Sequence, residues 1–392
     1  VKTATVYTYV TRGHLTPHRK AGDRSSWFER RELDAVISRT GRRSAARGAA
    51  RETVTAISLI ADGSYWYRGH DAEELAASTS YEAVAELLWT GKLPKAVDWR
   101  VPSLTRTESD SRGLDLSGID RPLDAIRLAM SVQAANDDLR FGVGGEALNL
   151  AARHLLVGMV AMLPVRSPIA SWSISGPVAD SFAGLVWSRL SDTAPSEAQI
   201  AALNATLIVM ADHGVAPSTL AVRTAASYRA DLYGAVQSGL AIVAGGWHGG
   251  RALSAESMIE DFLRGRDVAA VVGEHARQGR VPALGQPRYP DGDPRVGIVL
   301  RHLAAAGVEQ QILDVMDELI ALTRARALPA PSVEFALAAM ARGFSFQRGA
   351  SEALFAIGRC AGWLAHAMEE FGEPGPTSPQ FRYVGVSPLD RS

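Results

Sequence analysis

Three stretches of this chain set polar side chains beside glycine or proline, where a backbone can approach a small molecule closely. They are ADHGVAPSTLAVR (211–223), GGWHGGR (245–251) and ALGQPRYPDGDPR (283–295). The glycines flanking His248 leave room for backbone and ligand to reach its ring, a setting that favours a functional histidine over a structural one. His213 follows a helical pattern, where it could cap the helix, its cationic form suiting the C-terminal dipole, or bind a ligand. In DGDPR, Asp293 reads as a helix N-cap, Pro294 as the first helical position and Arg295 as the next. A cation aimed from a helix start can meet a carboxylate, and a surface arginine would be spelled the same way. Three prolines in the thirteen residues from Ala283 exclude helix and strand interiors, so this is a loop held in one shape. Gln286, near its start, can donate a hydrogen bond but cannot release a proton near neutral pH.

The elements that must carry these groups read as helices. Apolar residues recur at helical spacing over 80–94, 119–136, 145–163, 196–214, 218–246, 309–328 and 350–371. The exception is TVTAISLI, a turn at Asp62-Gly63 and then SYWYRG, which reads as a short β-hairpin. No strand–helix alternation and no repeat period stands out, so the fold is expected to be mainly α.

Composition narrows the function classes. At 392 residues, 47% hydrophobic and 21% charged, the chain is long enough for a large core and for two domains with an appendage. The longest apolar stretch, LLVGMVAMLP (155–164), is too short to span a bilayer, and no leader peptide is visible, so a cytoplasmic protein with no membrane role is expected. Cys360 is the single cysteine; it permits no internal disulfide, and its apolar neighbours at helical spacing make it a buried structural thiol. Net charge is −1, but residues 1–51 carry +8 and the remainder −9. That asymmetry suggests a basic module on an acidic body, and the acidic body argues against nucleic-acid binding as the sole function.

Within the basic segment, TVYTYVTRGHL reads as a helix, HRKAGDRSS as a polar loop, and WFERRELDAV as an aromatic return and second helix. This order resembles the recognition helix and wing of the MerR/excisionase type of winged helix-turn-helix over about forty residues. That family has another helix ahead of the recognition helix, where this sequence starts at Val1. The resemblance implies a partial module over 1–48 with DNA as a conceivable partner; without its bracing helix, DNA binding is not the main expectation.

Further along, YWYRGHDAEELA, SYEAVAELLWTGKLP, MADHGVAPSTLAVRTAASYRADLYGAV, GGWHGG, GQPRYPDGDPR, PSVEFALAAMARG, LFAIGRCAGWLAHAMEE and SPQFRYVG follow one another in the order of the successive blocks of citrate synthases. The resemblance spans about residues 53–386. It implies a two-domain helical fold with a small hairpin, its large domain formed by 49–252 with 346–392 and its small domain by 253–345, and a homodimer with a cleft between the domains. It implies an acyltransferase that condenses acetyl-CoA or another short acyl-CoA with oxaloacetate or a related oxo acid, with no metal and no cofactor beyond the acyl-CoA substrate. By the same resemblance His248 matches the enol-stabilising histidine, His213 the histidine that binds the oxo acid, and Arg295 and Arg359 two arginines that hold its carboxylates, for which forked guanidinium groups are suited.

Three positions depart from the family. Gln286 stands at the proton-donating histidine and Glu334 at the aspartate base. Ser378 stands where an arginine usually reaches into the partner subunit's site, with Arg382 four residues on. Arg251, beside HGG, is an added cation with no role assigned by the resemblance. Losing a general acid costs roughly 10² to 10⁴ in rate, and a carboxylate misplaced by about 1 Å on the order of 10²-fold. The expectation is therefore altered or weakened condensation, with a non-catalytic ligand sensor or DNA-linked regulator as the alternative.

Overall fold

The computed structural model describes residues 53–97, 99, 115–138, 140–141, 144–174, 176–247, 249–279, 281–373 and 375, together with 10, 16–18 and 28. Chain contacts divide it into two compact units, 1–54 with 377–392, and 55–376. The partial helix-turn-helix expected over 1–48 falls, apart from those few positions, outside the described residues, as do His248, Ser378 and Arg382. The fourteen α-helices and the one sheet whose bounds are described all belong to the second unit.

The expected hairpin is present and gains a third strand. Strand β1 (Ser58–Ala61) pairs antiparallel with β2 (Ser64–Tyr67), Ala61 opposite Ser64. Asp62 and Gly63 make the turn at φ of 49° and 75°, the left-handed pair that a two-residue hairpin needs. A two-residue strand β3 (His70–Asp71) completes the sheet in the order β1-β2-β3.

Helices follow, half of them started by a side-chain cap. They are α1 (Ala72–Ser78), α2 (Tyr81–Thr90), α3 (Pro122–Asn136), α4 (Glu146–Ala161), α5 (Phe182–Leu190), α6 (Glu197–Met210) and α7 (Pro217–Ser227). Then come α8 (Leu232–Val243), α9 (Gly250–Leu263), α10 (Val268–Arg277), α11 (Pro294–Ala305), α12 (Gln310–Ala325), α13 (Val333–Gly343) and α14 (Ala350–Phe371). Ser80, Ser181, Ser196, Asp231 and Asp267 each accept a backbone N–H of the turn they open, satisfying donors that have no partner within the helix. The periodic run over 218–246 is two helices, not one. Arg229 turns into the left-handed region at φ 62°, Asp231 caps α8, and α7 packs against α8. Periodicity alone could not see the break because both helices bury the same kind of face.

α14 is the axis of the core. Nearly every residue of its 22 is buried, as expected of a helix apolar on all sides, and it packs against α2, α3, α6, α7, α8 and α13. Its contact with the end of α6 is close. A Cβ at Gly362 would overlap the Ala211 carbonyl, and the Gly362 N–H donates to that oxygen at 2.9 Å. Arg359 Nε, one turn earlier, donates to the Met210 carbonyl at 2.8 Å. The helix thus pins the backbone that leads into His213. Cys360 is fully buried on it, as its neighbours implied, and burial pushes its thiol pKa far above the usual range. Among the described residues no helix is long and apolar enough to cross a membrane.

Candidate active site

Beyond α6 the chain turns sharply around Asp212. One carboxylate oxygen of Asp212 accepts the Gly214 N–H at 2.9 Å and the Ser58 hydroxyl at 2.5 Å, and its backbone carbonyl accepts from Tyr67 Oη at 3.1 Å. These bonds brace the chain on both sides of His213. Asp212 Oδ1 lies 3.3 Å from His366 Nε2, at an angle outside hydrogen-bond geometry. Burial alone would raise the Asp212 carboxyl, but His366, Arg359 and the Ser58 hydroxyl outweigh it and bring the pKa down to about 2. A carboxyl lowered on folding stabilises the protein above its unfolded value, and that stability is lost as the pH falls through the folded value. Stability is therefore expected to drop between about pH 4 and pH 2. Acid unfolding followed by circular dichroism should show a flatter profile there for Asp212→Asn, and identical profiles would remove this role.

His213 is buried, with Nε2 3.1 Å from Tyr289 Oη. Burial, then the charges of Arg295, Arg359 and Arg288, push its pKa well below the usual value. Near neutral pH it is a neutral imidazole, able to donate from one nitrogen and accept at the other. Its depressed pKa argues against the cationic capping role that its sequence position allowed.

The loop from Ala283 delivers two groups. Gln286 is half-buried, and its Oε1 accepts only a long 3.4 Å bond from the Arg288 N–H. At the far end, Asp293 caps α11 and Pro294 is its first residue, as the sequence indicated. The capping carboxylate also grips a side chain. Both Asp293 oxygens accept from the Arg295 guanidinium, from Nε at 2.9 Å and from a terminal nitrogen at 2.7 Å. Arg295 is 2% exposed and is kept charged by this pairing despite its burial. Asp293 also accepts the Val333 N–H at 3.2 Å, tying the start of α13 to the same point.

Arg359 has no such partner. Its Cζ lies 5.0 Å from the centre of the Phe355 ring, one terminal nitrogen is buried with no hydrogen bond, and burial lowers its pKa to about 10 even though Asp212 opposes the fall. Glu334, on the first turn of α13, is 8% exposed. Its Oε2 accepts the Ser332 hydroxyl at 2.5 Å, and its Oε1 is 3.7 Å from Arg251 Nε.

His213, Gln286, Arg295, Glu334 and Arg359 line one cavity of about 290 Å³. Residues separated by as many as 146 positions in the chain are thus brought together. The sequence model of the citrate synthase C-terminal domain matches residues 49–376. The chain belongs to the citrate synthase family.

Its relatives in that family include a 2-methylcitrate synthase of Mycobacterium tuberculosis, 28% identical over 84% of this chain and 88% of its own length. A citrate synthase of Mycolicibacterium smegmatis is 28% identical over 84% of this chain and 92% of its own. Among solved structures, the citrate synthase of Thermotoga maritima superposes with a TM-score of 0.65 at 21% identity, over 88% of this chain and 98% of that one. Citrate synthase of Thermoplasma acidophilum, in ternary complex with carboxymethyl coenzyme A and oxaloacetate, superposes at 0.63 and 20% identity, over 89% and 99%. These establish the mainly helical fold as that of citrate synthases.

The same cavity holds residues that sequence reasoning left without a function. Arg288 and Phe355 line it, as do Arg251 and the 86% exposed Trp247. Phe355 and Arg359 stand at i, i+4, a spacing readable on a helix, but the meeting of Arg251 with Glu334 leaves no local signal. Among the described residues no three His, Cys, Asp or Glu side chains form a metal site. Gly249, after the undescribed His248, is held tightly: a Cβ there would overlap the Val243 carbonyl and the buried Glu352 carboxylate, which Arg121 grips at 2.5 and 2.8 Å. In this citrate synthase fold Gly249→Ala should therefore cost about 1–3 kcal/mol. Chemical denaturation would measure it, and an unchanged midpoint would show that the segment can yield.

Proposed function

We propose that the cavity condenses a short acyl-CoA, acetyl-CoA or one with a longer chain, with oxaloacetate or a related oxo acid, at a rate well below that of an ordinary citrate synthase. The observation that carries this reading is the meeting of two buried arginines, a neutral histidine and one carboxylate around a single small cavity. Glu334 takes the proton from the acyl carbon next to the thioester carbonyl, and His248, by the family resemblance, steadies the enol that forms. Arg359 and the remaining terminal nitrogen of Arg295 hold the oxo-acid carboxylates, and His213 donates a hydrogen bond to the bound acid. As the new carbon–carbon bond closes, the keto oxygen gains charge beside Gln286. The amide can stabilise that oxyanion, but the proton must come from water, because glutamine has none to give. Hydrolysis of the thioester then releases CoA.

The family's domain division, with 253–345 as the smaller domain, belongs to this reading, as does a homodimer. Exposed Leu128, Leu150, Leu220 and Ile242 sit on α3, α4, α7 and α8, and α3 packs against α4, α8 against α3, and α7 against α8. Exposed apolar side chains on helices that pack in series suit a second copy of the chain, and sedimentation of a monomer at micromolar concentration would contradict it. A reducing cytoplasm suits a protein whose one cysteine is buried.

The deciding experiment follows thiol release with acetyl-CoA, propionyl-CoA and longer acyl-CoAs against oxaloacetate and other oxo acids. Release from the preferred pair is expected to be slower than in an ordinary citrate synthase by roughly 10² to 10⁴. Normal turnover would overturn the part given to Gln286. A second reading is favoured by Gln286 itself: a ligand sensor that binds the oxo acid without turning it over, linked to DNA through its basic N-terminal segment. Calorimetric oxo-acid binding with no thiol release, and DNA affinity that falls steeply with salt and vanishes on deleting residues 1–51, would establish that instead.

A further inference from the structure

Arg251 lies on the first turn of α9, where a cation opposes the helix dipole. Helix stability therefore does not explain it, and its contacts all lie outside α9. One terminal nitrogen donates to the Gly285 carbonyl at 3.1 Å, to the Leu284 carbonyl at 3.4 Å and to Ser332 Oγ at 3.3 Å. Its Nε has no hydrogen-bond partner and faces Glu334 Oε1 at 3.7 Å. The side chain is 16% exposed and that of Glu334 11%, so each is the other's counter-charge in a site that hydrates neither fully.

The two segments Arg251 touches are already stitched together. Gly285 N–H donates to the Ala330 carbonyl at 2.8 Å, and Ser332 N–H to the Ala283 carbonyl at 2.9 Å. Ser332 Oγ sits 2.7 Å from the Ala283 carbonyl and 2.5 Å from Glu334 Oε2. This short ladder joins the loop before Gln286 to the start of α13, and Arg251 attaches the start of α9 to it. The start of α9, the loop before Gln286 and the start of α13 that carries Glu334 are thereby joined through one guanidinium.

We propose that Arg251 is a positioning residue of this site. It faces the Glu334 carboxylate oxygen that Ser332 does not bond and anchors the carbonyls immediately before Gln286. Arg251 acts through the Glu334 carboxylate and the loop carbonyls it touches. The proposal rests on Glu334 as the proton acceptor. It also accounts for how a carboxylate one methylene longer than the family's aspartate is held: a hydroxyl bonds one of its oxygens and a cation faces the other.

The test compares Arg251→Met, Arg251→Lys and Arg251→Ala in the full chain. In Arg251→Met, kcat for thiol release is expected to fall on the order of 10²-fold, as for a catalytic group displaced by about 1 Å, with KM for the oxo acid within about twofold of the parent. Lysine keeps the charge but cannot bond carbonyl and carboxylate together as a fork does, so Arg251→Lys should recover less than a tenth of the loss. Methylguanidine added to Arg251→Ala should restore part of the rate. Independently of turnover, the Gly285 and Ser332 amides should exchange hydrogen at least about tenfold faster in Arg251→Met and Arg251→Lys, in the manner of a locally opened segment. An unchanged kcat, a rise in oxo-acid KM matching the fall in kcat, full recovery by lysine, or unchanged amide exchange would each overturn the proposal. If the parent protein releases no thiol from any pair, the condensation reading falls, while the exchange comparison still decides whether Arg251 holds this ladder.

Discussion

Gln286→His raises thiol release by about 10²- to 10⁴-fold, the span over which a positioned general acid acts. The position can accept the change. Gln286 is half-buried and its side chain makes one weak bond, to the Arg288 backbone, while the Tyr289 N–H bonds its backbone carbonyl, so a ring of similar volume displaces nothing that holds the loop. The Gly285–Ala330 bond and the Leu284–Pro331 bridge fix the loop backbone just before it. The gain should be pH-dependent. A histidine titrating near its ordinary value of about 6.5 supplies the proton below that pH and loses it above, so the rate of the variant falls on the alkaline side while that of the parent does not. Adding Glu334→Asp should contribute little or take some of the gain away, because shortening the arm withdraws the carboxylate from Ser332 and Arg251. A gain that appears only in the double variant would mean that the seat seen for Glu334 is not its working position. No gain in either, with oxo acid still bound, would favour the sensor reading.

The two buried arginines should respond oppositely to the same substitution. Arg295→Met removes the partner of Asp293, a buried carboxylate that also caps α11 and accepts the Val333 N–H. Breaking a buried pair from one side costs about 3–5 kcal/mol, so this variant should be much less stable as well as unable to bind the oxo acid. Arg359 is held at a cost to the fold. Burial lowers its pKa to about 10 and one terminal nitrogen has no partner; at about 1.4 kcal/mol per pKa unit, carrying that charge opposes folding by roughly 3 kcal/mol. Arg359→Met therefore leaves stability within about 1 kcal/mol of the parent, or raises it, even after the Arg359–Met210 bond is lost. Oxo-acid affinity should fall by on the order of 10² or more, the loss of a desolvated charge contact. Denaturant midpoints and calorimetric titrations with oxaloacetate separate the two effects. Equal destabilisation by both substitutions would show that Arg359 serves the fold and is not kept for an anion.

These expectations rest on features that were legible to different degrees before the fold was known. The Asp62-Gly63 turn, the Asp293–Pro294–Arg295 helix start and the burial of Cys360 are local: each is set by backbone preferences or by neighbours three or four residues away, and each is found as read. The run over 218–246 misled because periodicity records which face is apolar and not whether the chain reverses at Arg229. Asp293 was visible as a cap, but its grip on the Arg295 side chain was not, since a surface arginine two residues after an aspartate is written identically.

From its sequence alone this protein could be assigned its helical class, its short hairpin and its family, because propensity, capping and motif order act over short distances along the chain. Only the tertiary structure decided which of those residues share a cavity. Only it showed that Arg359 is buried with a nitrogen left unpaired, that His213 is held neutral, and that Arg251 reaches across to Glu334. Those properties come from desolvation and from charges on helices far apart in sequence, and they arise only once packing around α14 brings the segments together.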